Sequence, residues 1–232
     1  CTFSVTVNCT PVVLPQVAAL RRLELASAEK LQLRFDGGLP AFVGMKVPFS
    51  SQRPADSLIQ SLGFLTDYQD LYRLPVPARQ LFLKQRQRTE AGESLFFGQV
   101  HLGRPVFGAE LGVHNDGQAN LLTSLGHWIT DLPAEAEPAI SEAEARLKAV
   151  GAVEAHLPEV FGEPQLLWFN EGLSTGRESP TRLAWRVNVM GQPHDGAPDG
   201  AWAVFVDALD GAVLWQLPLM QNEQAYFTVR SM

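Results

Sequence analysis

Cysteine is almost missing from this chain: only Cys1 and Cys9 occur in 232 residues. Between them Phe3, Val5 and Val7 alternate with Ser4, Thr6 and Asn8, the period of a strand. At ~3.3 Å per residue such a strand holds the two sulfurs too far apart to bond, so a Cys1–Cys9 disulfide needs a turn this segment does not advertise. No apolar run approaches the ~18 residues that span a bilayer. Charge is sparse, at 19% of residues, and the balance is −7 without any Lys/Arg run. That argues against nucleic acid and anionic membrane surfaces, both of which attract basic patches. No signal-peptide pattern is present. Cys1 in place of a starting Met is what a processed bacterial lipoprotein carries, with the lipid on that cysteine; a fragment or an engineered start reads equally well.

Metal and nucleophile chemistry are also hard to find. The histidines, His101, His114, His127, His156 and His194, never form H-E-x-x-H, in which two imidazoles four apart share a helix face to hold zinc. His156-Leu157-Pro158-Glu159 comes nearest, but it lacks the second His and Pro158 would break the helix. Gly172-Leu173-Ser174-Thr175-Gly176 matches G-x-S-x-G in letters. A nucleophile elbow needs a helix next, however, and Pro180 and a strand follow, so a loop between strands is expected. Asp195, Asp199, Asp207 and Asp210 lack the ligand spacing of a calcium loop and read as turn formers. The two cysteines have no local His partner. Asn8-Cys9-Thr10 fits a glycosylation sequon.

What is present is a globular pattern, 46% hydrophobic, long enough for one large domain or two small ones. After a strand and a proline-bounded stretch, a short helix is expected at 16–25. Leu31, Leu33 and Phe35 alternate into an Asp36-Gly37-Gly38 turn, and 42–47 forms a second strand. A helix is expected over 54–65, with Pro54 in its first turn and Leu58, Ile59, Leu62 and Leu65 as its buried face. Strands follow at 81–84, 95–102, 105–113 and 118–125. Asn115-Asp116-Gly117 is expected to make the last turn through positive φ. The polar, proline-bracketed stretch 131–138 reads as a linker. Ser141 and Glu144 then form a capping box, Ala143, Leu147 and Val150 continue one helix face, and strands at 165–169, 183–189, 201–206 and 212–216 complete an α+β layout.

Two motifs carry a family resemblance. The run Gly98-Gln99 followed by Gly103-Arg104-Pro105-Val106-Phe107-Gly108-Ala109-Glu110 resembles the core motif of the fungalysin/thermolysin propeptide (FTP) family. Ser141-Glu142-Ala143-Glu144-Ala145, Leu183–Val187, and the closing Val204–Leu214 with its Asp207–Gly211 turn resemble a PepSY domain. The order, FTP-like then PepSY-like, covers about 31–217 and resembles the pro-region of a secreted thermolysin/fungalysin-type zinc metallopeptidase.

The resemblance implies antiparallel sheets each packed with a helix, in an FTP-like and a PepSY (cystatin-like) unit. The divisions it implies are an extension at 1–29, an FTP-like domain at 30–132, a PepSY-like domain at 133–218 and a tail at 219–232 leading to a peptidase domain outside this sequence. It also implies a secreted or cell-surface chain that is not catalytic, holds no cofactor or metal, and chaperones and inhibits a cognate peptidase whose own domain carries the zinc. Within that reading, Tyr226, Phe227, Thr228 and Val229 of the tail are expected to lie along the peptidase cleft; a linker or a terminal strand of the fold reads equally well. The competing reading is a non-catalytic extracellular binding or assembly module, lipid-anchored through Cys1 or part of a surface structure.

Overall fold

The computed structural model describes residues 14–134, 137–192 and 200–220. The fold is α+β, and the chain divides into two compact units, Cys1–Leu132 and Pro133–Met232.

In unit 1 the elements are α1 (Leu14–Ala26), β1 (Gln32–Asp36), β2 (Leu39–Pro48), α2 (Ser57–Asp67), the single turns α3 (Gln69–Tyr72) and α4 (Pro77–Gln80), then β3 (Leu81–Thr89), β4 (Gly92–His101), β5 (Arg104–Asp116) and β6 (Asn120–His127). The six strands form an antiparallel sheet in the order β1-β2-β6-β5-β4-β3. Period-2 alternation sends Val43, Val47, Leu95, Phe97, Leu111, Val113 and Leu121 to one face, where all are buried. An aromatic series, Phe64, Tyr68, Tyr72 and Trp128, closes this core with neighbouring ring centroids 4.9–6.0 Å apart. Burial pushes the Tyr72 phenol well above its ordinary pKa. Its hydroxyl shares a 2.5 Å hydrogen bond with Ser124 Oγ, and its carbonyl accepts from Trp128 Nε1 at 2.9 Å.

Helix α2 departs from expectation. It begins three residues after Pro54, because Asp56 is the N-cap: its Oδ1 accepts from the amides of Leu58 (2.9 Å) and Ile59 (3.3 Å). The buried side is Ser57, Gln60, Ser61, Phe64 and Leu65, while Ile59 is exposed. The expected leucine stripe therefore fails in all but Leu65, since polar side chains on the inner face find built partners. Gln60 Nε2 donates to the carbonyls of Ser50 (2.9 Å) and Pro54 (3.0 Å), and its Oε1 accepts from the Ser50 amide at 2.8 Å.

The β5–β6 turn is likewise displaced. Asn115 and Asp116 remain in β5, and positive φ falls at Ala119 (60°) rather than in Asn115-Asp116-Gly117. Asp116 closes the turn with its side chain instead, Oδ1 accepting from the Gln118 and Asn120 amides, each at 2.8 Å.

Unit 2 contains α5 (Glu142–Ala152), β7 (Glu159–Val160), β8 (Gln165–Phe169), the single turn α6 (Gly172–Thr175), β9 (Arg182–Met190), β10 (Ala201–Asp207) and β11 (Val213–Met220). The order is β8-β9-β10-β11, with β7 pairing the far end of β9. Both halves of the expected capping box form: the Glu144 amide donates to Ser141 Oγ at 3.2 Å and the Ser141 amide to Glu144 Oε2 at 2.7 Å. The buried side of α5 is Ala145 and Ala149, leading to Val153, rather than Ala143, Leu147 and Val150. Leu147 is 76% exposed. Small residues win that face because they let the helix sit close on Val187, Val189, Val204 and Val206. Residues 172–175, expected as loop, form one helical turn ended by Gly176, whose amide donates to Gly172 O at 2.8 Å.

Candidate partner-binding surface

The FTP-like motif is an instruction about backbone shape. Strand β4 returns into β5 through two residues, Leu102 (φ 49°) and Gly103 (φ 74°), and positive φ at both is the hairpin geometry whose twist matches the sheet. Past the turn, Arg104 pairs His101 and Pro105 pairs Val100, after which Glu110 pairs Gly98. Gln99 alone therefore stands opposite Val106–Ala109, a wide bulge turned by Gly108 at φ 78°. The bulge buries Val106 and Ala109, leaves Phe107 half-buried and exposes Gly108.

Gly108 opens onto the sheet face opposite the helices. There it lines a shallow depression of about 310 Å³ with Phe96, Glu110, Gly112, Leu125 and His127. Phenylalanines lie flat over glycines along this face. Phe96 pairs Gly112 across the ladder, and Phe82 covers Gly98 so closely that an added Cβ would meet its ring at 2.5 Å. Phe82 and Leu125 are exposed. The rim is polar, with Lys84 and Glu110 paired at 2.6 Å and His127 3.9 Å from Asp36. His114 hydrogen-bonds Ser94 Oγ at 2.6 Å, and burial pulls its pKa down. An apolar centre inside a polar rim is the anatomy of a protein-binding patch.

The PepSY-like turn positions are structural. Asp207 is buried, accepts from the Leu209 amide at 2.8 Å and pairs with Arg182 at 2.9 Å. The Gly211 amide returns to Asp207 O at 3.0 Å. Cys1 and the tail residues Tyr226, Phe227, Thr228 and Val229 lie outside the described residues. Among the described residues, no three His, Cys, Asp or Glu side chains gather as a metal site, and no helix is long and apolar enough to cross a membrane.

Sequence reasoning missed two groups. Gln99, 1% exposed, clamps the backbone of Ile129 from both sides: its Nε2 donates to the carbonyl at 2.6 Å and its Oε1 accepts from the amide at 2.9 Å. At the start of α2, Arg86 bridges Glu93 (2.6 Å) and Asp56 (3.1 Å), Arg88 reaches Glu93 at 2.5 Å, and Ser57 donates its hydroxyl to Glu93. The Arg86 guanidinium holds both carboxyls below the usual carboxylate range. A signal existed for Gln99 and for the buried Asn115. The core-phase series Leu95, Phe97, Gln99 and Leu111, Val113, Asn115 each end in a carboxamide where an apolar residue is due.

No family model matches the chain, and no curated protein matches it. Among solved structures it resembles the Bacillus megaterium YpeB C-terminal domain, at 15% identity over 82% of this chain and 76% of that one, with a TM-score of 0.37. A likeness that distant carries no functional argument.

Proposed function

We propose that this chain is an FTP-plus-PepSY pro-region of a secreted thermolysin/fungalysin-type zinc metallopeptidase, binding the peptidase domain as chaperone and inhibitor until cleavage. The observation that carries the reading is the geometry of Gly103–Gly108. The residues that bear the resemblance spend their chemistry on a tight turn and a bulge beside an exposed aromatic-and-glycine sheet face, as a docking scaffold requires, and offer no reacting group. A sheet face with a polar rim supplies area and shape, and an extended tail through Tyr226, Phe227, Thr228 and Val229 would supply the plug.

The test is inhibition in trans of the peptidase encoded with this chain, or of a thermolysin-type enzyme, by purified residues 1–232. Inhibition that weakens in the Phe227→Asp, Val229→Asp double variant is expected. Absence of both inhibition and binding to the encoded partner would overturn the reading. One observation favours the competing assembly module: among the described residues β1 is an edge strand, exposed at all five positions, and such an edge can pair with another chain. Concentration-dependent self-association, abolished by Phe35→Lys, would move the assignment there.

A further inference from the structure

One sheet edge in unit 2 carries nothing to discourage a partner. Among the described residues β11 pairs with β10 alone, which leaves one side of its backbone open. The edges of the unit 1 sheet are charged, with Arg34 and Asp36 on β1 and Lys84, Arg86 and Arg88 on β3, and charge disfavours chance pairing. β11 reads Val213-Leu214-Trp215-Gln216-Leu217-Pro218-Leu219-Met220, uncharged, with Gln216 as its one polar residue. Val213 and Leu219 are 40% and 38% exposed, and Trp215 and Leu217 are half-buried. The rings of Phe169 and Phe205, centred 5.8 and 6.1 Å away, hold Trp215 in place. A long, apolar, uncharged edge is a pairing site.

The chain itself supplies an occupant of suitable length, attached at the right place. β11 ends at Met220, and residues 221–232 follow it directly. Gln221-Asn222-Glu223-Gln224 is a polar run between two apolar ones, the composition of a hairpin loop. Ala225-Tyr226-Phe227-Thr228-Val229-Arg230 then holds the aromatic and β-branched residues that suit a strand. A loop of this length returns the chain antiparallel to the strand it leaves, with no crossover to close. Pro218 lacks an amide, so a ladder built on β11 loses at most one bond there.

We propose that residues 225–230 form a terminal strand paired antiparallel to the free side of β11. The loop sets Leu219 opposite Tyr226, Leu217 opposite Thr228 and Trp215 opposite Arg230, the last pair bringing a guanidinium beside an indole ring. The pairing belongs to the free chain and stands apart from the pro-region reading. Under that reading β11 and the peptidase cleft compete for one extended segment, and the tail must leave the sheet in order to inhibit.

Hydrogen exchange and NOE measurements on the full chain, with no peptidase added and sedimentation run in parallel, decide the matter. Expected are a monomer, cross-strand NOEs between Leu217 and Thr228, and alternate amides in 225–230 that exchange about tenfold or more slowly than in a free peptide of residues 221–232. Thr228→Pro should abolish that protection, because the ring removes a donor and fits poorly within a paired strand. Ser231→Pro, beyond the strand, should leave it unchanged. Three results would each overturn the proposal. One is tail exchange at the free-peptide rate. Another is protection that vanishes on dilution with loss of an oligomer, which would assign the β11 edge to a second copy. The last is wild-type protection in Thr228→Pro. If the NOEs are present while inhibition in trans fails, the pro-region reading falls and the terminal strand stands.

Discussion

Replacing Gln99 tests whether a side chain stands in for a strand. Gln99 presents one donor and one acceptor to the Ile129 backbone at 2.6 and 2.9 Å, the pairing a neighbouring peptide would offer. Gln99→Leu keeps the volume but strands both backbone groups. Each of the two lost partners costs about 1–3 kcal/mol, and the added apolar surface returns about 1, leaving a loss of about 1–5 kcal/mol. For a unit of this size that lowers Tm by about 3–20 °C. Gln99→Glu should be worse at pH 7, by about 3–5 kcal/mol, because a buried carboxylate then faces the Ile129 carbonyl. Its folded pKa would be raised, so the penalty shrinks as falling pH protonates the carboxyl and restores a donor. The readout is the indole N–H resonance of Trp128, the one tryptophan in this unit's sequence and bonded to Tyr72 O at 2.9 Å, together with amide exchange at Ile129. A Gln99→Leu variant within about 0.5 kcal/mol of wild type, with Ile129 still protected, would refute the clamp.

Other expectations follow from single contacts. Gly126→Ala puts a Cβ 2.0 Å from Glu110 O, so it should cost more than about 3 kcal/mol in urea unfolding; Gly103→Ala meets no neighbour within 4 Å and should cost only its strain, about 1–2 kcal/mol. Leu102→Asn, at φ 49° and exposed, should stabilise the hairpin by about 0.5–1 kcal/mol, and an unchanged denaturation midpoint would count against the turn assignment. Asp56 and Glu93 titrate below their unfolded values. Their contribution is therefore complete above the ordinary carboxylate range and lost as pH falls through the depressed values. Arg86→Gln should accordingly destabilise most at pH 7, and its melting curve should converge on wild type in acid. Asp207→Ala should cost about 2–3 kcal/mol by stranding the Leu209 amide and the Arg182 pair, with loss confined to unit 2.

Strands were the legible part. Alternation at 183–189 locates β9 within a residue at either end, because Val187 and Val189 turn to the buried face; the run 165–169 coincides with β8 without alternating, its Leu167, Trp168 and Phe169 all being buried. Helix faces were misread for a definite reason. On α2 and α5 the exposed side carries residues as apolar as the inner side: Ile59 and Leu147 face out, while Ser61 and Ala145 face in. Hydropathy sees the side chain and not the hydrogen-bond partner or the closeness of approach that makes a small or polar residue fit. The turn after β5 failed similarly, since Asp116 solved with its carboxylate what the reading assigned to backbone φ. Gln99 and Asn115 were visible only as polar residues in core phase, a flag without a partner until the fold supplies one.

The polar inner side of α2 also bears on the order in which unit 1 assembles. A greasy helix gains from any rough contact and can slide a turn before settling. Ser57, Gln60 and Ser61 reward one height and one rotation only, so beside the apolar contacts of Phe64 and Leu65 they act as a gauge that fixes the height of α2. The Tyr72–Trp128 side, rich in ring contacts that include Phe64 of α2 itself, is expected to form first and the polar contacts of α2 afterwards. In φ-value terms Ser61→Ala should lie near zero and Leu71→Ala well above it. The height of α2 is thus set by hydrogen bonds to the 50–54 loop as well as to β4.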